Sequence, residues 1–204
     1  MIQSGFAEIL DSVDLKCVEP NDLVRRVLAG CPVSATELSN RFTPRLLILL
    51  ERRLAGNRTD AEDIAQESLA RAFQRLDRFD FSYQFSTWLY TIAFRLATDF
   101  SRKEKRRPKT VSMESMESDP SIEPSINASE VVEDVWSLAR SVLVESQYTI
   151  LWLRYGEGMS IQEIASVLLK NQIGVRVQLH RARSKLTNYI RRMDRDQVVK
   201  RGNS

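Results

Sequence analysis

Apolar residues along this chain recur at helical spacing, so the pattern predicts helices. Thr59 followed by Glu62 fits a capping box. A helix starting there stacks Ala65, Ser68, Leu69, Ala72 and Leu76 on one side and turns Asp63, Gln66, Glu67, Ala70 and Gln74 to the other. After "RFDFSYQ", a short polar and aromatic segment read as a structured loop, a second helix is expected from about Phe85. Its core stripe is Phe85, Leu89, Ile92, Ala93, Leu96 and Phe100. Tyr90, Thr91, Phe94, Thr98, Ser101 and Arg102 fall on the far side, with Trp88 and Arg95 on the flank.

The pattern stops at Pro108. From there to Asp134 the chain reads "PKTVSMESMESDPSIEPSINASEVVED", rich in Pro, Ser and acids without a sustained stripe, which predicts a flexible linker. Beyond it, Leu138, Val142, Ile150, Leu151 and Leu153 predict one or two helices broken near Glu145. Gly156 and Gly158 end a helix, and Ser160 with Glu163 caps the next, whose stripe is Ile161, Ile164, Ala165 and Leu168. A turn near Leu169 to Asn171 leads into a longer helix that buries Val175, Leu179, Ala182, Leu186 and Tyr189. Ile173, Arg176, Val177, His180, Arg181 and Ser184 lie outside. Two helices joined by a short turn, the second basic on its outer face, make a helix-turn-helix. The expectation is an all-α fold of two small helical domains: an extension over 1–19, a domain over 20–107, the linker over 108–134, a helix-turn-helix domain over 135–193 and a basic tail over 194–204.

Composition supports this reading. Seven Gly in 204 residues, none between Gly56 and Gly156, argue against a turn-rich β fold. Thirty Lys and Arg against 27 Asp and Glu give a net charge of only +3, so distribution carries the information. Acids gather at 60–67 and 114–134, and bases at 102–107 and 176–201, local blocks that suit a polyanion.

Little else in the chain has catalytic or metal chemistry. Cys17 and Cys31 lack metal-ligand spacing, His180 is the only histidine, and no phosphate-binding glycine pattern occurs. No cofactor, metal site or catalysis is therefore expected. With no cationic leader before an apolar run and no long apolar span, the expected location is the cytoplasm. Aromatic residues at 88–94 beside cations at 102–107 admit two readings: packing on neighbouring helices, or stacking on bases while Arg and Lys hold phosphates.

These segments, in this order, resemble the extracytoplasmic-function (group IV) sigma factors of bacterial RNA polymerase. "DAEDIAQESLARAFQRLDRF" resembles the end of region 2.1 running into 2.2, and "FSTWLYTIAFRLATDFSRKEKRR" resembles regions 2.3 and 2.4. "WLRYGEGMSIQEIASVLLKNQIGVRVQLHRARSKL" resembles region 4. The resemblance implies that Asp63, Gln66 and Glu67 bind the clamp helices of the polymerase β′ subunit. It implies that Asp80, Ser82, Tyr83, Gln84, Trp88, Tyr90, Thr91, Arg95, Arg102, Lys103 and Arg106 serve the −10 element and its melting. It implies that Arg176, Val177, His180 and Arg181 meet the −35 element of promoter DNA, that region 4 contacts the β flap, and that an anti-sigma factor is a partner. Three positions depart from the family pattern: Arg95 stands at a customary Asn, Val144 at the proline opening region 4, and Leu169 at the turn glycine. Ile173 and Val177 also put apolar groups on the groove face, which suits thymine methyls or a protein partner.

Overall fold

The computed structural model describes residues 15–106 and 128–201, with side chains over 15–106 and 135–193. Among them every regular element is a helix, as the pattern predicts. The chain divides between Lys105 and Arg106 into two compact units. Residues 1–14, Arg107 and most of the predicted linker, 108–127, lie outside the described residues, as do 202–204.

The first unit contains α1 (Pro20–Leu28), α2 (Pro32–Arg53), α3 (Arg58–Gln74) and α4 (Phe85–Arg106), with short 3-10 turns at Leu15–Cys17 and Leu76–Arg78. Pro20 and Pro32 start α1 and α2 at positions where a helix has no use for the missing N–H. Gly30, at φ +88, then closes α1 in a Schellman turn in which the Cys31 N–H donates to the Arg26 carbonyl. α2 is the hub, packing on α1 and α3 and burying Leu38, Phe42, Leu46, Leu49 and Leu50. Each such side chain contributes about 1.5–3 kcal/mol when fully removed from water. Arg41 of α2 donates to the Val18 and Leu15 carbonyls and pairs with Glu37, which ties the Leu15–Cys17 turn to the hub.

α3 buries Ala65, Ser68, Leu69, Ala72 and nearby Leu76 as expected, together with Ala61 and Ile64. Its cap differs from expectation. The capping residue is Asn57, whose Oδ1 accepts from the Asp60 N–H at 3.1 Å while its Nδ2 donates to Asp60 Oδ2 at 2.7 Å. Asn reaches a backbone N–H as readily as Thr, and Gly56 at φ +88 turns the chain into the helix two residues before Thr59.

The second unit contains α5 (Ala128–Val142), α6 (Glu145–Tyr155), α7 (Ile161–Val167) and α8 (Gln172–Arg201). α5 starts within the stretch read as linker, where Val131 and Val132 precede the predicted stripe. The break before Glu145 is present, with Val144 extended at φ −70 and ψ 157. α8 packs on α5, α6 and α7, burying Val175, Leu179 and Ala182 with Ile150, Leu153, Ile164 and Val167. Tyr189, expected inside, is exposed: among the described side chains of α8 the last buried one is Ala182, and Leu186 is already half-buried.

Candidate nucleic-acid interface

Three exposed surfaces carry the residues the sequence singles out. The first is on α3, where Asp63, Gln66 and Glu67 are all exposed on one face. Glu67 pairs with Arg71 at 2.6 Å, one turn on, and Asp63 has no ion pair among the described residues. Burial, with the negative charges of Glu104 and Asp63 adding to it, pushes the neighbouring Asp60 carboxyl up. On α3 the four carboxylates Asp60, Glu62, Asp63 and Glu67 outnumber the two cations Arg58 and Arg71, so the helix carries net negative charge.

The second surface is the loop between the Leu76–Arg78 turn and α4. Asp80 Oδ1 accepts from the Ser82 N–H at 2.9 Å, an Asx turn, and this bond holds the Asp80 carboxyl below its usual range. The Tyr83 N–H donates to the Asp80 carbonyl. Asn21 of α1 then bridges two segments: its Nδ2 donates to the Tyr83 carbonyl at 2.9 Å, and its Oδ1 accepts from the Phe85 N–H at 2.8 Å. A residue 64 positions away therefore satisfies an orphan N–H at the start of α4. Sequence reasoning missed it, and only the cap-forming type of Asn21 hinted at it.

Beneath the loop lies an aromatic cluster. Phe79 meets Phe81 edge-on at 5.0 Å and Trp88 at 5.4 Å, Phe85 meets Phe42 at 5.3 Å, and Arg25 of α1 lies over the Phe81 ring. Such contacts hold the loop on a rigid base. Asp80, Ser82, Tyr83 and Gln84 are exposed, and Tyr83 keeps 55 % of its surface in solvent.

On α4 the structure corrects the predicted faces. The buried arc is Phe85, Ser86, Thr87, Leu89, Tyr90, Ala93, Phe94 and Ala97, rotated by roughly 80° from the predicted stripe at 100° per residue. Tyr90 is fully buried at 0 % exposure and Phe94 is buried too, so neither presents a ring to a base. Trp88 is half-buried on the cluster. Thr91 is half-buried, its hydroxyl donating to the Thr87 carbonyl at 2.7 Å. Arg95, Arg102, Lys103 and Arg106 are exposed, with Arg102 3.6 Å from Asp99. The face is therefore an exposed loop tip with Tyr83, a half-open Trp88 edge, and a cationic run toward the helix end.

The third surface is the outer face of α8. Asn171 caps the helix, its Oδ1 accepting from the Gly174 N–H at 2.6 Å. Ser160 and Glu163 form the predicted capping box of α7. Between the two helices Leu169 takes φ +53, the left-handed value a turn glycine serves. The Leu169 N–H donates to the Ser166 carbonyl and the Lys170 N–H to the Ala165 carbonyl, a complete Schellman turn built on leucine. Arg176, Val177, His180 and Arg181 are all exposed, and neither arginine has an ion pair among the described residues. Further along the same helix, His180, Arg183, Ser184, Thr187, Asn188 and Arg191 line a shallow polar groove.

Comparison with known proteins agrees with the all-α, two-domain fold. The model of Sigma-70 region 2 matches residues 40–107, and that of Sigma-70, region 4 matches residues 143–186. The chain is 32% identical over 149 residues to the ECF RNA polymerase sigma factor SigW of Bacillus subtilis, covering 68% of this chain and 80% of that protein. It is 27% identical over 178 residues to the ECF RNA polymerase sigma-E factor of Salmonella typhimurium, covering 82% and 92%. A probable RNA polymerase sigma factor of Xanthomonas campestris is 37% identical over 133 residues, which are 63% of this chain but only 33% of that protein. Among solved structures, the fold matches a sigma factor from Bartonella quintana crystallised with the anti-sigma factor NepR. That match has TM-score 0.56 and 21% identity, and covers 76% of this chain and 96% of the other.

Proposed function

The chain belongs to the extracytoplasmic-function RNA polymerase sigma factors, and from that membership we propose how its own residues divide the work of promoter recognition. Asp63, Gln66 and Glu67 dock on the β′ clamp helices of core RNA polymerase, where the net negative charge of α3 meets a basic partner. The second unit contacts the β flap. The loop of Asp80, Ser82, Tyr83 and Gln84 receives an extruded base of the −10 element, with the edge of Trp88 and the Thr91 region beside it. Extrusion costs a few kcal/mol and stacking on an aromatic ring returns about 1–3 kcal/mol. Arg95, Arg102, Lys103 and Arg106 hold phosphates of the melted strand. Arg176, Val177, His180 and Arg181 enter the major groove at the −35 element.

Tyr90 has a different part in this scheme. Buried in the first unit, it supports the helix behind the loop and leaves stacking to Tyr83 and Trp88. The polymerase supplies the catalysis, and the protein acts in the cytoplasm beside it. An anti-sigma partner is supported by the Bartonella quintana relative, which was crystallised with one.

The observation that carries the proposal is the exposed cation pair Arg176 and Arg181 on one helix and the exposed acid pair Asp63 and Glu67 on another, in one chain. Their separation gives the test. Asp63→Arg lowers affinity for core polymerase without changing its fold. Arg176→Ala with Arg181→Ala leaves core binding intact but weakens promoter binding and flattens its salt dependence by about one unit per lost phosphate contact. Promoter binding and salt slope unchanged in the arginine double variant refute the groove assignment.

A further inference from the structure

The outer face of α8 is cationic and yet apolar at its leading end. Ile173 and Val177 keep 71 % and 43 % of their surface in solvent, one helical turn apart. They lie between the exposed cations Arg176, His180 and Arg181. From Gln172 to Met193 the helix carries six Lys and Arg and no acid. A protein partner with a basic or neutral rim would face uncompensated charge here, whereas a phosphate-lined groove would not.

Within such a groove only one base edge is apolar. Thymine shows a C5 methyl in the major groove, and an aliphatic side chain recognises it by excluding water from both. Ile173 and Val177 are separated by about 6 Å along the helix axis at 1.5 Å rise per residue. That is close to two base-pair steps of about 3.4 Å. Ile173 also lies in the first turn of α8, where a recognition helix approaches base edges most closely. The Asn171 cap and the buried Val175, Leu179 and Ala182 fix the direction of that turn.

We propose that Ile173 and Val177 are specificity-determining residues that read thymine methyl groups at two nearby positions of the upstream promoter element, flanked by phosphate contacts from Arg176 and Arg181. This rests on the proposed groove assignment of α8. It predicts an element with A·T pairs at those positions, discriminated by a methyl group.

Deoxyuridine, which pairs as thymine does but lacks the methyl, isolates the contact. A promoter duplex library with a randomised upstream block is selected on the full chain with core polymerase. The winning duplex is then made with thymine or with deoxyuridine at each A·T pair. The wild-type protein loses about fourfold in affinity per methyl removed, the worth of one buried CH2. The Ile173→Ala, Val177→Ala double variant, altered only at exposed helix positions, binds the two duplexes equally.

Equal binding of both duplexes by the wild type, with Arg176→Ala and Arg181→Ala still weakening both, overturns the thymine reading and leaves α8 on DNA. A selected block without A·T pairs at two nearby positions overturns it as well. If neither the deoxyuridine exchange nor the arginine substitutions change affinity, α8 does not meet the groove and both readings fall together.

Discussion

Tyr83 and Tyr90 are seven positions apart, and their environments assign them opposite roles. Tyr83 stands on the loop with more than half its surface in water, while Tyr90 is sealed inside the first unit. Tyr90→Ala is expected to cost about 3–5 kcal/mol of stability, as truncation of a buried aromatic does. Tyr83→Ala should leave stability within about 0.5 kcal/mol and weaken binding of a single-stranded −10 oligonucleotide by about 1–3 kcal/mol. Thermal melts and fluorescence titrations distinguish the two. The loop also has a pH signature. The Asp80 carboxyl is held below its ordinary value of 3.8 by the Ser82 N–H. Its folded-state value thus lies under that of the unfolded chain, so the turn's contribution is complete above the unfolded carboxylate range and is lost as pH falls through the folded value. The Ser82 amide resonance should titrate with a midpoint below 3.8, and Asp80→Ala should abolish that titration. The sequence marked the loop through its Asp, Ser and aromatic residues, but Asn21, which joins it to α1, could not be found from any local pattern.

At the scale of elements, α3 was legible in the sequence and α4 only in part. α3 has small buried residues on one side and acids on the other, so a helical wheel separates them. α4 has aromatic and aliphatic residues nearly all round between Phe85 and Phe100, so hydrophobicity alone does not orient it. Its direction is set by the ring contacts of Phe85 and Trp88 and by the Asn21 cap, which are long-range. The α7–α8 turn was legible as a conflict, a leucine at a position the resemblance assigns to glycine. The structure resolves that conflict by keeping the left-handed turn and placing Leu169 in it, 68 % exposed. A left-handed non-glycine residue costs about 1–2 kcal/mol, and an exposed side chain has little packing to lose. Leu169→Gly is therefore expected to stabilise the second unit by about 1 kcal/mol, after the extra entropy glycine gives the unfolded chain. Calorimetry should show a higher unfolding midpoint. A lower midpoint would mean that the leucine side chain makes contacts worth more than its backbone strain.

Across the whole molecule, opposite charges sit on separate helix faces: an acidic one on α3, and cationic ones at the end of α4 and along α8. A net charge of +3 conceals this division, which explains why total charge was uninformative while its distribution pointed to nucleic acid and a basic partner. Among the described residues no helix is long and apolar enough to cross a membrane. This sigma factor directs core RNA polymerase to promoters, and we propose that it does so through the residues assigned above. The decisive measurement is sequencing of the transcripts made from genomic DNA by core polymerase with and without the purified chain. With the chain present, new, discrete start sites should appear that share one upstream and one −10 element and that disappear with Asp63→Arg. Start sites identical to those of core polymerase alone would contradict it.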